Sequence, residues 1–342
     1  MELGTIWFLL WGLLWAVYFV LDGFDLGVGM LRPFLAGTEE EKRITYNVAG
    51  PFWDGNEVWL ITAGGVTFAA FPAAYAVMFS SLYSALLLLL FALIFRGVSF
   101  EFRSKVDSPG WRGLWDFFHF LGSFLPALLL GVAFANIFKG IPLNADGVNQ
   151  GGLFDLLNPY GLCGGLLFVC AFLIHGALWL AVKTEGVLYE RAMKTAKKLW
   201  PALFILAVLF LVYTALATKL YDNYLENPAL LLVLILPVGG LVLQRVFMGQ
   251  NKPGLAWVAS ACTIAGVAFF GVIGLFPALL PSSLNPAWSM TIQNSSSSPL
   301  TLKIMLGVAL VFVPIVIIYQ AWVYKTFLHK VTAKDLESEE AY

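Results

Sequence analysis

Long apolar runs alternate along this chain with short segments that hold nearly all of its charge. A helix rises 1.5 Å per residue, so about 20 apolar residues match a hydrocarbon layer of about 30 Å. The pattern predicts nine membrane helices, over 4–31, 53–71, 74–95, 117–138, 160–182, 199–217, 229–244, 255–277 and 302–325. Only Pro72 and Ala73 separate the second run from the third, which reads as a tight hairpin. Pro51, Pro201 and Pro228 fall at or just before predicted helix starts, where the missing N–H has no intrahelical partner to lose.

The polar segments orient these helices. With the N-terminus outside, seventeen of the 20 Lys and Arg residues fall on the inner side, and only Lys139, Lys219 and Lys303 fall outside. Basic residues concentrate on the cytoplasmic side of membrane proteins. A miscounted helix would scramble this alternation, so the charge pattern supports nine spans, N-out and C-in. The expected architecture is an all-α integral membrane protein, one polytopic domain over residues 1–342. No loop is long enough for a soluble module. The outer segment from Pro281 to Pro299 reads as a plain loop, and the acidic run Glu337–Glu340 as a solvated tail.

Composition agrees. Hydrophobic residues make up 60% of the chain and charged ones only 12%, with mean hydropathy +0.82. Soluble domains run near 25% charged, so lipid must solvate most of this surface. A net charge of −1 gives no reason to expect a nucleic-acid partner. Cys163, Cys170 and Cys262 lie in apolar runs without a CxxC pair, which points to neither a disulfide nor a metal site. The N-terminus lacks a basic leader, so the first apolar segment is expected to be a retained helix. No Gly-rich phosphate loop is evident.

Charges inside a bilayer cost about 2.5–3.5 kcal/mol or more at a helix centre, so those near the spans carry information. Asp22 and Asp25 lie in LDGFDLGVG, Asp54 and Glu57 in WDGNEVW, and Glu101 in the inner loop SFEFRSK. Counted from Gly4, Asp22 is about 27 Å and Asp25 about 32 Å along the first helix, at the inner face. The second helix starts from that face with Asp54 and Glu57. Each pair is spaced i, i+3 and so shares a helix face. Four carboxylates are therefore expected at one level. One reading is a solvated rim, favoured for Asp54 by the helix dipole. The other is a proton-entry cluster, in which crowded acids in a partly dry site hold and pass protons. Gly23, Gly27, Gly29 and Gly55 would let the helices approach, Asn56 would hydrogen-bond a neighbour or a water, and Trp53 flanks the motif.

Two histidines fall within spans. His119 sits at the inner edge of the fourth helix, beside Asp116, and His175 about 22 Å into the fifth. Haem-binding bundles place ligands at matched levels. Two lone histidines at unequal depths read as hydrogen-bonded structural residues, with haem ligation the lesser alternative.

At these motifs the chain resembles subunit II of the cytochrome bd quinol oxidase family. The resemblance runs through LDGFDLGVGML (21–31), GPFWDGNEVWLITAGG (50–65), FRGVSFEFRSK (95–105), GSFLPALLLGVAFAN (122–136), LLNPYGLCGG (156–165), GLFPALLPSS (274–283) and VPIVIIYQAWVYKTF (313–327), essentially the whole length. It implies two four-helix bundles plus a peripheral helix, in a bacterial cytoplasmic membrane. It implies pairing with subunit I, which holds haem b and haem d and oxidises quinol, with oxygen reduced to water. It implies that none of these haems is ligated by this chain. The Asp of the WDGN motif, here Asp54, would lie on a proton path from the cytoplasm, with Asp25 as its companion. Glu57 departs from the family, where Gln is common. The resemblance also leaves room for a structural quinone in this subunit and for small accessory membrane subunits.

The reading is thus a non-haem-ligating subunit of a quinol:oxygen oxidoreductase that supports the haem subunit and conducts protons. Three rivals stand beside it: a proton-coupled secondary transporter, a purely structural scaffold and a self-sufficient haem protein. A transporter would place polar residues near the midplane, whereas these acids sit at one face.

Overall fold

A computed structural model describes residues 2–338 and 342. Its principal helices are α1 (Leu3–Leu35), α2 (Glu39–Ala49), α3 (Trp53–Ala70), α4 (Pro72–Ser81), α5 (Tyr83–Phe102), α6 (Pro109–Lys139), α7 (Pro159–Lys183), α8 (Gly186–Ala217), the short α9 (Asp222–Glu226), α10 (Ile235–Gly249), α11 (Pro253–Leu275), the short α12 (Ile292–Ser295) and α13 (Pro299–Thr326). Eight segments are helical, long and apolar enough to cross a membrane, with the 3-10 turn Pro228–Leu234 joined to α10. The expected helix over 53–71 exists as α3, but its acids, Asn and glycines leave it below that apolar threshold.

Several expected boundaries shift. The run 74–95 is two helices, broken at Leu82, and the second of them continues to Phe102. The run 229–244 opens as a 3-10 turn. Helix α8 begins at Gly186 rather than 199, and α6 at Pro109 rather than 117, because their amphipathic first turns continue the helix beyond the apolar run.

Helices α1 and α7 are central. Helix α1 packs against α3, α6, α7 and α11, and α7 against α1, α6, α8 and α11. Small residues set the spacing: a Cβ on Gly27 would fall on the Phe172 carbonyl, and one on Gly176 on the Gly27 backbone. Close approach at such small residues is how membrane helices gain packing energy. Helix α13 lies outside this core, its apolar residues almost all exposed.

Ion pairs tie the basic pole together. Arg32 of α1 meets Asp116 of α6 at 2.5 Å, and Arg103 at the end of α5 meets Asp116 at 2.6 Å and Glu39 of α2 at 2.7 Å. Helix α2 starts in a capping box formed by Thr38 and Glu41. Burial opposes ionisation of Glu41, but the Gly37 and Thr38 amides and Arg191 outweigh it and hold the carboxyl below its usual range. At the opposite pole, the expected plain loop 281–299 is ordered. Strand β1 (Ala278–Leu280) pairs antiparallel with β2 (Met290–Thr291), and Ser282 is pinned between Leu143 and Ser289. The segment before the acidic run packs back on the helices, whereas Glu337 of that run is exposed. Lys183 donates to the carbonyls of Phe327 and His329, Arg43 to those of Leu336 and Tyr342, and Val331 and Leu336 are buried. Glu339 and Glu340 lie outside the described residues.

Candidate functional site: carboxyl groups around a buried arginine

Toward the basic pole, the end of α1, the start of α3 and the end of α5 converge. The LDGFD motif lies on α1 with Asp22 0% and Asp25 2% exposed. Both aim inward because the glycines between and after them let α7 close over this stretch, and Gly23 faces the Phe172 ring. Arg96, 1% exposed, reaches from α5 and donates from Nη2 to Asp22 Oδ1 at 2.7 Å. The same nitrogen lies 3.3 Å from Glu57 Oε1 of α3, an ion pair without hydrogen-bond alignment.

Asp25 takes a second set of partners. Its Oδ2 accepts from Asn56 Nδ2 at 2.6 Å, while Asn56 Oδ1 accepts from Tyr324 OH at 2.9 Å and Gln320 Nε2 at 3.2 Å. Gln320 in turn accepts from Trp59 Nε1 at 2.9 Å. Asn56 thus joins α1, α3 and α13 through one amide, the strongest tie between the peripheral helix and the core. Asp22 Oδ2, Asp25 Oδ1, Arg96 Nε and Nη1, and the Tyr18 hydroxyl one turn deeper on α1 are buried without a hydrogen bond from another described residue. Buried polar atoms are rarely left so in folded proteins.

The expected single level of four carboxylates therefore divides. Asp22 and Glu57 pair with Arg96, and Asp25 is buried one turn from Asp22. Asp54 and Glu101 are exposed, and Trp53, next to Asp54, stacks on Phe100 at 5.3 Å. Gly55 does not serve the expected packing role within this chain: no atom lies within 4 Å of a Cβ placed there, because it faces away from the helices of this chain. Reasoning from sequence missed Arg96, Gln320 and Tyr324. Arg96 carried a signal, being an arginine at the end of a long apolar run, but served only as a topology marker. Tyr324 lies 268 positions from Asn56, and nothing local announces the contact.

The histidines are engaged elsewhere. His119 accepts from Arg32 Nε and packs 4.6 Å from the Tyr46 ring, while His175 bonds the Val20 carbonyl and stacks on Trp257 at 5.1 Å. Both imidazoles also pack edge-on against a second ring, Phe100 for His119 and Phe24 for His175. Among the described residues, no group of three His, Cys, Asp or Glu side chains converges as a metal site.

Fold and cluster define a multi-pass helical membrane protein with an ionisable centre sealed among its helices. The chain belongs to the cytochrome bd terminal oxidase subunit II family, whose model matches residues 3–327. It is 38% identical to cytochrome bd-I ubiquinol oxidase subunit 2 of Escherichia coli (strain K12), over 98% of this chain and 97% of that one. It is also 38% identical to cytochrome bd ubiquinol oxidase subunit 2 of Bacillus subtilis (strain 168), over 98% of both. Among solved structures, it resembles a chain of the bd oxidase from Geobacillus thermodenitrificans with TM-score 0.78 at 19% identity, covering 96% of this chain and 99% of that one. The protein is a subunit of a bd-type oxidase, an oxidoreductase complex.

Proposed function

We propose that this subunit spans a bacterial cytoplasmic membrane nine times, N-out and C-in, and delivers cytoplasmic protons to a quinol-oxidising, oxygen-reducing complex. The haem b and haem d of that complex belong to its partner, subunit I. Protons enter at the exposed Asp54 and Glu101 and pass to Asp25, Asp22 and Glu57. One observation carries the reading: two carboxyl groups, Asp22 and Glu57, share a single buried guanidinium, and a third, Asp25, is buried one turn further along α1. Unpaired charge in a low-dielectric site is strongly unfavourable, so such a centre reaches charge balance by taking up protons. Arg96 holds the centre in place without itself giving up a proton. Asn56 orients Asp25.

A structural quinone held in this subunit would fit an apolar cleft of about 610 Å3 bounded by Trp11, Trp15, Leu60, Phe68, Leu86 and Phe134. The scaffold reading remains the rival, and the same experiment decides between them. In the purified complex, Asp54→Asn and Asp25→Asn should slow oxygen consumption about 100-fold, the lower end for loss of a proton-transfer group, while the haem absorbance per complex stays unchanged. Unimpaired turnover in both variants would establish a scaffold.

A further inference from the structure

A second polar feature lies on the far side of the same pole, away from the carboxyl cluster. Lys194, Lys197 and Lys198 occupy positions i, i+3 and i+4 on α8 and so share one face. Arg245 comes from α10, and together these cations line a cavity of about 500 Å3, with Glu190 and Asn251 on its rim. Among the described residues, none of the four makes an ion pair; Lys197 donates only to the neutral Asn251 Oδ1, at 2.9 Å. Like charges at i, i+4 destabilise a helix. Three unpaired lysines on one face, opposed by a fourth cation from a neighbouring helix, are stabilised by an anion held between them.

Immediately below, the lining turns apolar. Trp200 donates to the Leu241 carbonyl at 3.0 Å, receives the Arg245 guanidinium 5.8 Å from its ring and stacks on Phe204 at 5.8 Å. Deeper along α8 the surface stays apolar, with Phe204 and Val208 exposed. Tryptophan between basic and apolar layers marks the headgroup level of a membrane.

We infer that this crown and the apolar surface beneath it bind an anionic phospholipid, with the phosphate among Lys194, Lys197, Lys198 and Arg245 and an acyl chain along Phe204 and Val208. A basic pocket between membrane helices is suited to such headgroups. A free phosphate would gain nothing from that apolar surface. The proposal is independent of the proton path.

The test uses the complex as assembled with its partner, stripped of lipid in a neutral detergent. Native mass spectrometry follows binding of phosphatidylglycerol, of phosphatidylcholine with the same chains, and of inorganic phosphate as competitor. The natural chain should bind phosphatidylglycerol in preference to phosphatidylcholine, and phosphate should not displace it. Neutralising Lys194 and Lys198 in K194Q/K198Q should weaken phosphatidylglycerol binding about fivefold per charge, so about 25-fold. R245Q, on the other helix, should weaken it about fivefold. Both variants alter exposed side chains, and an unchanged thermal midpoint would show that they fold. Equal phosphatidylglycerol binding by natural and variant chains overturns the proposal. So does equal binding of the two lipids, or displacement by phosphate, which would make the crown a simple anion site.

Discussion

Arg96 is the residue on which the carboxyl centre turns. It is fully inside the protein, and one of its nitrogens serves both Asp22 and Glu57. Removing one partner of a buried ion pair costs about 3–5 kcal/mol, because the other is left charged and unpaired. Arg96→Gln should therefore lower the thermal midpoint of the purified complex sharply. Adding Asp22→Asn should restore part of the loss, since the stranded charge is gone. A double variant no more stable than Arg96→Gln alone would refute the pairing as the source of stability. The acids were legible in the sequence because charge within apolar runs is conspicuous. Their division into a buried set and an exposed set was not, since Asp54 and Glu57 have the same i, i+3 spacing as Asp22 and Asp25.

At the scale of elements, helix crossings depend on which glycines face a neighbour. Gly27 and Gly55 both adjoin the acidic motifs, yet only at Gly27 does another helix of this chain fill the space a Cβ would take. Gly27→Val should force α1 and α7 apart, an overpacking cost of about 1–3 kcal/mol or more. Gly55→Ala should leave the yield of folded chain unchanged. Detergent-solubilised yield and thermal midpoint check both, and equal losses would contradict the packing described. The apolar pattern placed the helices well but misjudged their ends. Lipid exposure selects residues only within the hydrocarbon, whereas hydrogen bonding carries α6 and α8 into polar turns. The break at Leu82 falls in FSSLYS (79–84), whose serines are too few to divide the run by hydropathy alone.

At the scale of the molecule, the basic pole is closed by long-range contacts that involve the C-terminal segment. Lys183 at the end of α7 clasps the carbonyls of Phe327 and His329, and the Val331 amide bonds back to the Lys183 carbonyl. A hydrogen bond to a charged group contributes about 1.5–3 kcal/mol. Lys183→Met should thus raise the open population of residues 327–338 about tenfold or more. Limited trypsin digestion of the complex reads this as faster cleavage at Lys330 and Lys334. An unchanged cleavage rate would show that the clasp does not hold the segment.

The sequence by itself determined the class of this protein: a helical chain solvated by lipid, with costly acids toward one pole and cations concentrated on the same side. Those features are local, since hydropathy and charge act on each segment wherever it lies. Only the tertiary structure decided which acids are sealed and which face out, that Arg96 is the common counterion of Asp22 and Glu57, and that Asn56 links Asp25 to the last helix. The physical reason is distance along the chain. Arg96 meets Asp22 across 74 positions and Tyr324 meets Asn56 across 268, so each pairing exists only once the helices have packed.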